Sequence, residues 1–171
     1  MGMPTALRRI IASREEKPSF FREDRFRHII NPMTYEEQQT IEKILRTAKT
    51  IATVGLSGDP EKPSHKIPAY LQGQGYRVIP VNPGQESVLG EQAYASVSDV
   101  PEPIEVVQIF RPSDEVGPIV DEAIAAGAKA VWMQLGIVDE AAAARARAAG
   151  LDVVMDQCMK VQHTRWSSPM I

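Results

Sequence analysis

The sequence has a single cysteine, Cys158, among its 171 residues. One thiol forms no internal disulfide and builds no cysteine zinc cluster, and a reducing compartment is the natural setting for such a chain. No apolar run approaches the roughly 18 residues that a membrane span needs. The stretch from Met1 to Ile11 carries Arg8 and Arg9 but lacks an apolar core followed by small residues, so it does not read as a secretory leader. An excess of one charge is lacking as well: 19 Lys and Arg stand against 22 Asp and Glu, a net of −3. Without surplus cations to displace counterions from a phosphate backbone, nucleic acid is not an expected partner. These absences point to a soluble, cytoplasmic protein that binds neither nucleic acid nor membrane. A small anionic ligand stays open, because a local basic pocket fits inside an acidic whole.

What is present is close to the globular average, with 43% hydrophobic and 24% charged residues. At roughly 150 residues per domain the length corresponds to one domain. Residues 1–33 differ from the rest. Arg8, Arg9, Arg14, Lys17, Arg22, Arg25 and Arg27 are interleaved there with Phe20, Phe21 and Phe26, without a period. This basic arm reads either as a nucleic-acid- or partner-binding tail, or as a strap docked by its aromatics on the domain or a second subunit. Glu15, Glu16, Glu23 and Asp24 dilute the charge and favour the strap.

A helix is expected from Thr34, where Thr34-Tyr35-Glu36-Glu37 forms a capping box and Ile41, Ile44, Leu45 and Ala48 follow at helical spacing. The pattern then changes to short apolar, β-branched runs: Ile51–Val54, Arg77–Val81, Ile104–Phe110, Ala130–Met133 and Asp152–Met155, with a weaker strand through Ala93-Tyr94. Runs of this kind are strands buried on both faces. Helical stretches separate them: Ser64 to Gln74, Ser113 to Ala126 with Ser113 as cap, and Asp139 to Ala149, each stopped by glycine. The alternation predicts βαβ units with right-handed crossovers. The expected fold is therefore an α/β, Rossmann-like, doubly wound and mostly parallel sheet, three-layer αβα, in a single domain over residues 34–163 with a tail over 164–171.

In such folds ligands bind outside the carboxyl ends of the strands, so the loops after each strand carry the candidates. After the first strand come Gly55, where backbone can approach a ligand closely, and the hydroxyl of Ser57. Lys62, Pro63, Ser64, His65 and Lys66 follow, with Ser64 as the expected cap of a helix whose free N–H groups and dipole attract phosphate. The alternative is a long surface loop with ordinary capping. The loop is not a G-x-G-x-x-G fingerprint, because Ser57 stands where a second glycine is needed, and no Gly-Lys-Ser/Thr makes a Walker loop. The second strand ends in Val81-Asn82-Pro83-Gly84-Gln85, with no acid to clamp a free ribose diol. A neutral Asn82 suits a phosphorylated ribose, unless the segment is only a turn. Arg111, after Phe110, is placed either to meet an anion or to pair with an acid such as Asp114. Gln134 ends the fourth main strand, whereas Trp132 reads as core. Cys158 and His163 suggest a nucleophile with its base, but no oxyanion hole or third partner accompanies them, and the ligand count excludes a metal site.

Several of these segments occur together: Val54-Gly55-Leu56-Ser57 with Lys62-Pro63-Ser64-His65, the run from Gly75 to Pro83, Val88-Leu89-Gly90-Glu91, Ile109-Phe110-Arg111, the run from Gly127 to Gly136, and Met155-Asp156-Gln157-Cys158 with Lys160. In this order they closely resemble the small stand-alone CoA-binding proteins, which are similar to the N-terminal CoA-binding domain of the succinyl-CoA synthetase alpha subunit. The resemblance covers about Ile41 to His163. It implies coenzyme A as cofactor. It also implies that Gly55, Ser57, Lys62, Pro63, Ser64 and His65 approach the nucleotide and pyrophosphate, and that Val81, Asn82 and Pro83 flank the adenosine. By the same match Phe110 and Arg111 border the cleft, and Gln134 and Gly136 lie near the pantetheine. Where family members often carry a lysine just past the Asn-Pro turn, this chain has Gly84-Gln85.

The function expected is non-catalytic binding of CoA or an acyl-CoA. The synthetase's phosphorylated histidine belongs to a second domain, and nothing after His163 is long enough to supply one, so ligase activity is not carried over. The alternatives are an NAD-binding redox protein or sensor, which would need the acid missing at Asn82, and a subunit that supplies a CoA site to a separate acyl-CoA ligase. A homodimer is also compatible. Cys158 is in addition the one thiol that CoA could join in a mixed disulfide.

Overall fold

The computed structural model describes residues 33–169. Nearly all of the expected basic arm, residues 1–32, and the last two residues of the tail lie outside them. The chain divides into two units between Tyr35 and Glu36, and the elements below belong to the second, apart from Tyr35 itself.

Helix α1, Tyr35–Thr47, buries Ile41, Ile44 and Leu45 on one face, with Glu36 and Glu37 in its first turn and Arg46 in its last. That charge order suits the helix dipole. Strand β1, Thr50–Val54, leads to helix α2, Pro63–Gly73, and strand β2, Arg77–Val81. Tyr76, just before β2, is buried and its hydroxyl donates to the Leu45 carbonyl of α1. Burial pushes that hydroxyl up to about 12. Next comes a small antiparallel hairpin, β3 Ser87–Val88 and β4 Glu91–Gln92. Its turn residues, Leu89 and Gly90, both have positive φ, as the tight turn that matches strand twist demands. The remaining elements are β5 Val106–Ile109, α3 Val116–Ala125, β6 Ala130–Met133, α4 Glu140–Ala148, β7 Asp152–Val154 and α5 Met159–Ser167.

Five strands form one parallel sheet in the order β2-β1-β5-β6-β7. The weak strand expected at Ala93-Tyr94 is a single parallel bridge, Tyr94 beside Val81. Tyr94 donates to the Pro80 carbonyl and accepts from the Asn82 N–H. Pro80 has no N–H to offer, so the ladder stops after one residue. Counting that bridge, the winding reverses between β1 and β5.

Side chains alternate across the sheet, as strand geometry requires. Ala52, Val54, Val107, Ile109, Val131 and Met133 join residues of α3 and α4 in one apolar core. On the other face the buried Thr53 hydroxyl donates to Gln108 Oε1 at 2.8 Å across the β1–β5 register, and Gln108 Nε2 donates to the Met159 sulfur of α5. Trp132 is fully buried, and its indole N–H donates to the Gln157 carbonyl. The architecture is the Rossmann-like α/β sandwich expected.

Three local expectations are corrected. Helix α2 begins at Pro63, with Lys62 as N-cap and no side-chain cap from Ser64; proline's fixed φ suits the first helical position. Ser113 does not cap α3. It opens a 3-10 turn, Ser113–Glu115, and its hydroxyl accepts from the Val138 N–H instead. Helix α5 was not anticipated and runs through position 163, where the sequence reading ends the domain. Its buried face is Met159, Gln162 and His163, so the apolar period that marks a helix is absent there. No helix among the described residues is long and apolar enough to cross a membrane.

Candidate functional site

The carboxyl ends of β1, β5, β6 and β7 open into a cleft of about 480 Å³. The loop after β1 is shaped by one proline. Pro68 lies inside α2 and lacks the N–H that would bond the carbonyl four residues back. That carbonyl, of Ser64, accepts instead from the Ser57 N–H at 3.2 Å. His65 Nδ1–H donates to the Ser57 carbonyl at 2.7 Å, and the Ser57 hydroxyl accepts from the Asp59 N–H. The loop is thereby folded back onto the start of α2. The first turn of that helix contains no acid, so its positive pole is not neutralised from within.

Gly55 forms the floor between β1 and β5. Its φ is +83°, and a Cβ there would stand 2.8 Å from the Phe110 carbonyl oxygen and 3.1 Å from Arg111 Cδ. Only glycine fits both the conformation and the space. At the end of β2, Asn82 uses both ends of its amide. Nδ2 donates to the Leu56 carbonyl at 2.9 Å, and Oδ1 accepts from the Gly84 N–H at 2.9 Å. The following Gln85 lies over Gly58, where a Cβ would be 2.9 Å from Gln85 Oε1.

Six of the expected residues line the cleft: Lys62, Pro63, Ser64, Phe110, Arg111 and Gln134. Gly55 is outside the lining but adjoins Phe110 and Arg111, which belong to it. Ser57, His65 and Asn82 build the neighbouring loops through the bonds just described. Val81 is a buried core residue whose carbonyl accepts from Gly55, and Pro83 belongs to the exposed turn. Gly136 has φ +82° and donates its N–H to Asp156 at 2.7 Å. Arg111 pairs with Glu115 at 2.6 Å, one helical turn on, and not with Asp114. Ile67, Pro112, Leu135, Ile137 and Cys158 also line the cleft. Cys158 is the thiol that the sequence already singles out; Pro112, Leu135 and Ile137 lie in loops after strands, the signal that could have found them, and Ile67 is one helical turn beyond Ser64.

Gln134 carries the most pointed polar feature. It is 3% exposed, and its Oε1 accepts from the Met159 N–H at 3.3 Å. Its Nε2 has no hydrogen-bond partner. The orientation of the amide is fixed, because a backbone N–H must face the oxygen. A buried donor left unmade costs about 1–3 kcal/mol, so it is a place where a ligand acceptor repays a small rearrangement. His163 lies elsewhere, hydrogen-bonded through Nδ1 to the Tyr70 hydroxyl at 2.9 Å and ringed by Tyr70, Tyr76 and Trp166. Burial lowers its pKa. Among the described residues no group of three or more His, Cys, Asp and Glu is placed to hold a metal ion.

A doubly wound parallel sheet with a ligand-sized cleft at its switch point defines a Rossmann-like ligand-binding domain. The family model of the CoA binding domain matches residues 49–164, and the chain belongs to that family. It is 38% identical over 123 residues to the uncharacterized protein YneT of Bacillus subtilis, covering 72% of this chain and 91% of that one. A hypothetical protein of Pyrococcus horikoshii has a similar structure, with a TM-score of 0.74 and 40% identity over 77% of this chain and 92% of its own. The chain is also 35% identical to part of the alpha subunit of an ADP-forming acetate–CoA ligase of Pyrococcus furiosus, over 47% of this chain but only 18% of that subunit.

Proposed function

We propose that the chain binds coenzyme A, or an acyl-CoA, in the cleft at the ends of β1, β5, β6 and β7, as a binding module. The observation that carries this reading is the end of β2. Asn82 occupies the place where a dinucleotide site holds a carboxylate, and its amide is committed to Leu56 and Gly84. A neutral group there leaves room for a phosphorylated ribose and gives NAD no diol clamp. Lys62, Arg111 and the start of α2 supply positive potential for phosphates. Gly55 lets backbone come close, and Gln134 offers an unmade donor for an amide or thioester carbonyl. Ile67, Leu135 and Ile137 supply apolar wall for an aliphatic arm.

Native mass spectrometry of the full chain tests the reading. With equal CoA and NAD present, the complex expected carries one CoA. A complex with NAD alone contradicts it. The likeness to part of a ligase alpha subunit favours a second reading, in which this chain supplies the CoA site to a separate catalytic chain. Recovery of a ligase subunit with the tagged protein, from the cell that makes both, supports that version.

A further inference from the structure

We propose that Cys158 is a thiol–disulfide exchange partner for the thiol of the bound ligand, so that the cleft holds CoA reversibly when reduced and traps it covalently when oxidised. This rests on the CoA reading above. Two independent observations place the reaction. Cys158 is a free, half-buried thiol in the cleft wall. Beside it, the buried Gln134 binds the Met159 N–H, the residue after Cys158, and keeps its own Nε2 without a partner.

The sheet order sets the direction. Lys62 follows β1, Arg111 follows β5, Gln134 follows β6 and Cys158 follows β7, and these four strands are consecutive neighbours. With adjacent strands just under 5 Å apart, β1 and β7 are separated by about 14 Å. A molecule with phosphates at one end and a thiol at the other therefore has cations under its phosphates and Cys158 within reach of its thiol. The turn that carries Cys158 is also fixed. Asp156 accepts from Gly136, and the Gln157 carbonyl accepts from the Trp132 indole.

The step is an exchange with CoA disulfide as co-reactant. Cys158 loses its proton to solvent, and its thiolate attacks one sulfur of CoA disulfide. A bond forms between Sγ and that sulfur, the original S–S bond breaks, and the second CoA leaves as a thiolate. No further oxidant is needed.

The test is the intact mass of the full chain after incubation with CoA disulfide, with glutathione disulfide in a parallel arm and reduced CoA binding measured on the same preparation. Because the chain has one cysteine, any adduct is assigned without mapping. The expected product is protein plus one CoA less two hydrogens. It is reversed by dithiothreitol and absent in Cys158→Ser. Binding next to the thiol raises its effective concentration, so CoA disulfide should react about tenfold faster than glutathione disulfide or better. Binding of reduced CoA with no adduct, or equal rates for both disulfides, overturns the proposal and leaves the binding reading intact. Absence of both CoA binding and adduct removes the binding reading itself.

Discussion

Gly55 and Phe110 approach so closely across the β1–β5 crevice that a Cβ on Gly55 would stand 2.8 Å from the Phe110 carbonyl oxygen. The contact packs the end of β1 directly against Phe110 and Arg111 of the cleft wall. Gly55→Ala must place a side chain at φ +83° and push that carbonyl away. The expected result is a loss of about 2 kcal/mol of stability or more, read by urea denaturation, with weaker CoA binding in whatever folds.

Arg111 is held by Glu115 at 2.6 Å, in a pair that is half exposed on both sides. Such a pair stabilises the fold little, so the guanidinium is available to a stronger anion. Arg111→Ala should weaken CoA binding about tenfold, the scale of one charge-assisted hydrogen bond. Glu115→Gln should strengthen it, because no carboxylate then competes. Titrations at low and high salt check both, since the difference should shrink as salt rises.

Gln85 lies against Gly58 in the loop after β1, just past the Asn82-Pro83 turn. Gln85→Lys adds a cation at that loop. The expected outcome is tighter binding of CoA, by about tenfold, with little change for dephospho-CoA, which lacks the ribose phosphate. Parallel titrations of the two ligands decide the matter. An equal gain for both would place the added charge away from the ribose.

His163 is buried among three aromatic rings, and burial holds its pKa below the usual 6.5. The unfolded chain therefore takes up the proton more readily than the folded one. The stability associated with the neutral ring is fully present above pH 6.5 and is lost as pH falls from there toward the folded-state value. Thermal melts should show a lower Tm at pH 5.5 than at pH 7.5. His163→Gln should show a smaller drop across the same interval.

The β-branched runs, the glycine stops and the order of strands and helices were legible because a parallel sheet buried on both faces writes itself as short apolar segments. The loop at Lys62 to Ser64 was legible because cations and proline precede a helix. Three features were not. Pro68 frees the Ser64 carbonyl for Ser57, a long-range consequence that no local pattern displays. The buried face of α5 uses Gln162 and His163, so its apolar period is missing. The placement of Cys158, a thiol that the sequence itself singles out, beside Lys62, Arg111 and Gln134 comes from the sheet order, which no local pattern displays. Gly136 and His65 stand within the matching motifs, yet their bonds hold loops in place.

The cleft is proposed to take coenzyme A and not a dinucleotide with a free ribose diol. Isothermal calorimetry of the full chain with CoA, dephospho-CoA and NAD measures this most directly. The expected result is one CoA per chain, weaker heat with dephospho-CoA and none with NAD. Binding of NAD with no heat from CoA would contradict it.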